Sequence, residues 1–217
     1  MKNILLWADI SELPDIMQEP EAATDIPPEQ IKRILEYKLP LQRKQCFCAR
    51  LMEKFMADTY GFSVKDITRG KKGKPSVGDI NYNISHSGNL VICAISDRAV
   101  GCDAELVREV KQNVADKYFS ESEKAMPFFK IWTAKESYLK MTGEGIVADL
   151  KNIEVVFDEN NQKMFIKRNG NMEKCTLEEY SIPGYSEYAV AVCACGGAFN
   201  GRLEKFEFFV DLQESFY

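Results

Sequence analysis

Three apolar runs separated by very short turns constrain the fold most. "INYNIS" (80–85) alternates between apolar and polar residues, "NLVICAIS" (89–96) is almost continuously apolar, and "AVGCDAEL" (99–106) follows a turn at Asp97–Arg98. Connections this short leave no room for a crossover helix, so the runs read as neighbouring antiparallel strands. Helical patterns flank them. "PPEQIKRILEYKL" opens on prolines suited to a helix N-terminus, and "QRKQCFCARLMEKFMADTYG" carries Phe47, Leu51, Phe55 and Met56 before a terminating Gly61. Further on, Pro127–Met141 reads as the main helix of the second half, stopped by the glycines of "TGEGI". "NILLWAD" near the start and "NIEVVF", "KMFIKR", "KCTLEEY" and "YAVAVCAC" near the end read as strands, whereas the pattern of "RLEKFEFFVDL" fits neither period. Strand, helices, strands thus occurs about twice. The expectation is an α+β protein of two similar halves, 1–100 and 101–217.

A length of 217 residues, 45% of them apolar, is enough for a sizeable core. The formal net charge of −5 does not favour nucleic acid as a partner. Charge is uneven, however: seven acids and no base lie between Ile4 and Gln30, and four Lys and one Arg crowd Lys65–Lys74. The latter is either a solvated turn or an anion site. Seven Cys in C-x-C pairs and apolar runs, with His86 the only histidine, make no zinc pattern and fit a reducing cytosol. The apolar stretch before Asp9 is too short for a signal peptide, and no window is apolar enough to span a membrane, so a cytoplasmic protein is expected.

Three carboxylates invite a chemical reading. Asp103 and Glu105 are spaced i,i+2 on an expected strand and share a face. Such a pair is commonly just solvated, but this strand is otherwise apolar, a poor place for unpaired acids. A hard cation such as Mg²⁺, bound by one or two carboxylates plus phosphates and water, is the alternative. Glu136 and Lys140 lie one turn apart on the main helix. They are either an ordinary surface ion pair or a base and a cation serving phosphate chemistry. "NISHSG" (83–88) offers Ser85 and His86 as phosphate contacts, and "GKP" (73–75) offers backbone and Lys74. Neither a P-loop nor a Gly-x-Ser-x-Gly elbow is present.

The order of these pieces is more specific than any one of them. "GKP" (73–75), "NISHSG" (83–88), "VGCDAE" (100–105), "FSESE" (119–123) and "WTAKESYLK" (132–140) follow one another as in the 4′-phosphopantetheinyl transferases of the type that acts on surfactin synthetase, which this chain resembles. The resemblance implies two α+β subdomains about a pseudo-twofold, with coenzyme A in the cleft between them. It implies Mg²⁺, or Mn²⁺, on Asp103, Glu105 and Glu136, with Glu136 also the general base. It implies Lys140 on the pyrophosphate, Lys135 in a supporting contact, Ser85 and His86 on coenzyme A phosphates, and Gly73, Lys74 and Pro75 at the adenine. Among the N-terminal bases Lys38, Arg43 and Lys44, the expected 3′-phosphate contact is Arg43. Ala104 leaves a coordination place to water. The co-substrate would be coenzyme A and the partner an apo acyl or peptidyl carrier protein, served by a monomer without nucleic acid or membrane.

Overall fold

The computed structural model describes residues 3–24, 26–70, 73–145, 150–158 and 163–208. In chain order the regular elements are β1 (Ile4–Asp9), α1 (Pro28–Leu35), α2 (Pro40–Tyr60), β2 (Thr68–Arg69), β3 (Pro75–Val77), β4 (Ile80–Ser87), β5 (Leu90–Ser96), β6 (Val100–Leu106), α3 (Gln112–Tyr118), α4 (Phe128–Thr142), β7 (Ile153–Asp158), β8 (Lys163–Arg168), β9 (Asn171–Met172), β10 (Cys175–Glu179), β11 (Tyr188–Cys195) and β12 (Arg202–Lys205). Short 3₁₀ turns join several of them. The fold is α+β, with two sheets and four α-helices among the described residues.

The first sheet runs β12-β1-β5-β4-β3-β2 and the second β6-β11-β10-β8-β7. The strand group read from sequence is therefore divided: β4 and β5 pair antiparallel, but β6 leaves them to pair with β11. The ambiguous tail supplies β12, which returns to the first sheet and lies parallel to β1.

Each sheet carries one long helix. α2 begins at Pro40, stops where Gly61 adopts φ +74°, and buries Phe47, Cys48, Met52 and Met56 against Val91, Cys93 and Ile95 of β5. The buried stripe is one position off the expected one: Phe55 is 40% exposed. α4 buries Ile131, Ala134, Tyr138 and Leu139 against Ile153, Val155, Ile166 and Cys193 of the second sheet. A third cluster joins the halves, setting Leu90, Ile92 and Ala94 from the other face of β5 against Val100, Cys102, Ala104, Val190 and Val192. All seven residues of β5 are buried because both its faces are covered. That explains its unbroken apolar run.

Candidate functional site

The two sheets meet where β4 crosses the free edge of β6. An edge strand presents unpaired N–H groups that must be satisfied when buried. Here β4 satisfies them with side chains. Cys102 N donates to Asn83 Oδ1 at 2.9 Å, Ala104 N to Ser85 Oγ at 3.3 Å, and Leu106 N to Ser87 Oγ at 3.0 Å. "NISHS" is thus a strand whose alternate polar residues cap a neighbouring edge. The intervening Ile84 and His86 point to the opposite face and line a cavity.

That cavity, about 360 Å³, is bounded by α2, by β4 and by the end of α4. Gly73, Lys74, Pro75, His86 and Lys140 all line it, so parts of the motifs at 73–75, 83–88 and 132–140 meet at one cavity. Arg50, Glu53 and Arg69 form its far wall and also line an adjoining chamber of about 680 Å³. Glu53 is almost fully buried and accepts from Arg50, from Arg69 at 2.9 Å and from Tyr82 Oη at 2.8 Å. Two guanidiniums share one carboxylate, so this wall carries a net positive charge facing a space large enough for an anion.

The three carboxylates do not line the cavity; they lie behind Lys140, which does and which bonds Asp103. β6 holds Asp103 buried and Glu105 half-buried, and α4 holds Glu136 buried. Asp103 Oδ1 accepts Lys140 Nζ at 2.6 Å and Ser85 Oγ at 2.8 Å, while Lys140 Nζ also donates to Ser85 Oγ at 2.8 Å. Glu105 Oε2 accepts Ser87 Oγ at 2.9 Å. Two oxygens have no hydrogen-bond partner among the described residues although they are fully buried: Asp103 Oδ2 and Glu136 Oε1. Leaving such atoms unpaired is costly. Burial, and then repulsion from Asp103, push the Glu136 carboxyl up to about 7, against the pull of Lys140. Burial opposes the charge of Lys140, but the attraction and hydrogen bond of Asp103, together with Cys102 and Glu136, hold the ammonium above its ordinary range. Among the described residues no three His, Cys, Asp or Glu side chains gather closely enough to form a metal site by themselves.

Close packing sets the spacing of these groups. A Cβ on Gly101 would lie 2.1 Å from Ser137 O and 2.3 Å from Met141 N. Only glycine lets β6 lie this close to the α4 backbone.

Four expected ligand contacts have their polar groups engaged within the protein. Lys135 is fully buried; its ammonium meets Glu123 at 2.7 Å and the carbonyls of Tyr118 and Leu150, each at 3.0 Å. It does not line the cavity, and its role here is structural. Glu123 also accepts Val155 N and Ser120 N, the latter half of the expected capping box. Arg43 is likewise buried, paired with Asp15 and donating to the carbonyls of Tyr37 and Lys38, so it does not reach the cavity either. Ser85 is committed to Asp103, Lys140 and the edge of β6. Lys74 does line the cavity, but its ammonium donates to Val100 O at 3.0 Å and to Met141 O, and burial holds it down to about 8. Arg50 and Arg69 were missed as cavity cations. Arg69 lies within the basic stretch 65–74, which was the available signal; Lys71 and Lys72 of that stretch fall outside the described residues.

Known proteins similar in sequence to this chain share one description. A model of the 4′-phosphopantetheinyl transferase superfamily matches residues 99–193. The chain is 32% identical over 145 residues to the 4′-phosphopantetheinyl transferase gsp of Aneurinibacillus migulanus, covering 61% of this chain and 58% of that protein. It is 31% identical over 137 residues to the 4′-phosphopantetheinyl transferase Sfp of Bacillus subtilis (strain 168), covering 58% and 59%. With the 4′-phosphopantetheinyl transferase HetI of Nostoc sp. it shares 28% identity over 176 residues, covering 70% and 73%. The match to the first two relatives therefore spans less than two thirds of their length.

Proposed function

From a chain whose residues 99–193 match a model of the 4′-phosphopantetheinyl transferase superfamily, we propose an enzyme that moves the phosphopantetheine arm of coenzyme A to a serine of an apo carrier protein. The other product is adenosine 3′,5′-bisphosphate. The observation that carries this reading is the pair of buried, partnerless oxygens, Asp103 Oδ2 and Glu136 Oε1, set beside Lys140 at the edge of a cavity.

Those two oxygens fit a hard cation, which takes one or two carboxylates together with phosphate oxygens and water. Asp103 and Glu136 would hold Mg²⁺ or Mn²⁺, with Glu105 next to them on the same strand face. Bound there with the pyrophosphate, the ion would neutralise its charge and make the leaving phosphate a better leaving group. The remaining work falls to this chain's side chains. Lys140 would turn its ammonium from Asp103 toward the pyrophosphate oxygens, where charge grows as the bond breaks. Glu136, on the helix face it shares with Lys140, is the carboxylate that would take the proton from the attacking alcohol. The serine oxygen attacks the phosphorus that carries the pantetheine, and the bond to the bridging oxygen breaks. No covalent enzyme intermediate is needed.

In this reading the nucleotide lies in the cavity, with Gly73, Lys74 and Pro75 near the base and His86 near phosphate. Arg50 and Arg69, rather than Arg43, would face the remaining phosphate. The halves 1–100 and 101–217 divide the labour between nucleotide and metal, and a monomer holds the whole site. No described helix is long and apolar enough to cross a membrane. In this reading the enzyme is cytoplasmic and serves protein partners.

Intact-mass spectrometry tests the proposal. An apo carrier protein incubated with this chain, coenzyme A and Mg²⁺ should gain one phosphopantetheine arm, about 340 Da, and lose that gain with EDTA or in Asp103→Ala. Release of adenosine bisphosphate without carrier protein, at the same rate as with it, would make the chain a hydrolase instead. Tight coenzyme A binding with no mass gain on several carrier types would make it a binding module.

A further inference from the structure

Three of the seven cysteines gather at one end of the second sheet, on the face that also carries Asp103 but further along the strands. In the β10–β11 ladder, Cys175 stands directly opposite Cys195. Gly196 N donates to Lys174 O at 2.9 Å, one step beyond this pair, and Cys195 N turns the other way to Ala99 O at 3.0 Å. Cys175 and Cys195 therefore form a non-hydrogen-bonded pair, the type whose Cα atoms stand about 4.5 Å apart with side chains close. Disulfides accept Cα separations from about 4.4 Å to 6.8 Å. Cys193 follows two residues before Cys195, so its side chain lies on the same face.

The three thiols differ in their surroundings. Cys195 is exposed, Cys175 and Cys193 are buried, and all three are free. Cys193 Sγ lies 3.6 Å from Met141 Sδ, under the end of α4. A hydrogen bond shared with Cys193 holds the Cys175 thiol below its ordinary range, which raises its thiolate fraction.

We propose that Cys175 and Cys195 form a reversible cross-strand disulfide when the protein meets a two-electron oxidant of the hydrogen peroxide class. The exposed Cys195 thiolate attacks a peroxide oxygen. The O–O bond breaks, giving a sulfenic acid and, with one proton, water. The Cys175 thiolate then attacks the Cys195 sulfur, and its hydroxyl leaves as a second water. Two thiols and one hydrogen peroxide thus become one disulfide and two waters, and a dithiol reductant reverses the change. The bridge closes the β10–β11 hairpin at the end remote from the acids: Asp103 pairs with Ala191, four residues before Cys195. Stapling therefore stiffens the sheet that supports β6 without entering the cavity, and the inference stands independently of the proposed transfer.

Mild hydrogen peroxide on the full chain, followed by intact mass, peptide mapping and thermal melting, tests this. The mass should fall by about 2 Da, the map should show a Cys175–Cys195 peptide, and Tm should rise by roughly 3–10 °C and return with dithiothreitol. Cys195→Ser, a change at an exposed position, should abolish all three effects, whereas Cys46→Ser should keep them. Cys175→Ser supplies a second variant if the first folds poorly. Loss of two mass units in Cys195→Ser would move the bridge to other cysteines and overturn the proposal. So would a mass that only rises in steps of oxygen, or an unchanged free-thiol count in the wild type.

Discussion

Replacing Gly101 with Ala perturbs the contact on which the whole site depends. The added Cβ would sit 2.1 Å from Ser137 O, 2.3 Å from Met141 N and 2.8 Å from Lys140 C. All three are backbone atoms of α4, so no rotamer change relieves the clash. Reaching even a tight 3.4 Å contact with Ser137 O means opening the gap by 3.4 − 2.1, about 1.3 Å, between β6 and α4. β6 carries Asp103 and Glu105, and α4 carries Glu136 and Lys140. Overpacking of this kind costs about 1–3 kcal/mol, which lowers Tm by roughly 2–12 °C in a chain of this size. A displacement of about 1 Å between reacting groups can cost on the order of 10²-fold in rate. Gly101→Ala should therefore melt earlier by circular dichroism and lose about 10²-fold in kcat/KM for the proposed arm transfer. An unchanged Tm would refute the close seating of the helix. A lowered Tm with unchanged kcat/KM would refute the claim that this seating sets the distance between the acids and the lysine.

Other substitutions separate chemistry from architecture. Glu136→Gln should abolish transfer yet stabilise the metal-free protein. With the carboxyl raised from 4.5 to about 7, the folded state keeps a proton that the unfolded chain gives up. Wild-type stability therefore falls as pH rises through that window and levels off above it. The variant should match wild type near pH 4 and exceed it at pH 8 by about 1–2 kcal/mol after solvent screening; urea melts at the two pH values check this, and equal stability at pH 8 would refute it. Arg69→Ala should raise KM for coenzyme A with little change in Tm, whereas Arg43→Ala should lower Tm by leaving Asp15 unpaired; isothermal titration and melting of both variants distinguish the cavity cation from the structural one. Lys135→Met strands Glu123 in the interior and should cost about 3–5 kcal/mol in urea unfolding, while the folded fraction keeps wild-type coenzyme A affinity.

The strands and main helices were legible because their cues are local. β4 and β5 show in apolar patterning, α2 ends at a glycine, and α4 begins after Pro127. The tail was not legible, because β12 exists only through the edge of β1, nearly 200 positions away in the chain. The buried stripe of α2 was misread by one position because Phe55 and Met56 are neighbours in an almost continuous run of candidates, and only the approach of β5 selects Met56.

The same distinction separates the site residues. Acids whose chemistry depends on their own spacing, such as Asp103 and Glu105, could be read from a strand's period of two. Lysines and arginines could not, because a long cation is defined by whichever carboxylate or carbonyl it meets. Lys135 and Lys140 share one helix, yet one finds Glu123 in the core and the other, at the cavity edge, finds Asp103. Helix geometry already gave a hint: Glu136 and Lys140, four apart, share a face, while Lys135 is turned by about 100° from Glu136. Arg43 and Arg50 sit seven apart on α2, close to one face, and still diverge because Asp15 captures the first and Glu53 the second. "NISHSG" shows the limit most clearly. Its serines carry the polarity expected of a phosphate loop, but the edge of β6 reaches them first. What lines the cavity from that motif is Asn83 at its start together with Ile84 and His86, the two residues whose alternation points them away from the edge.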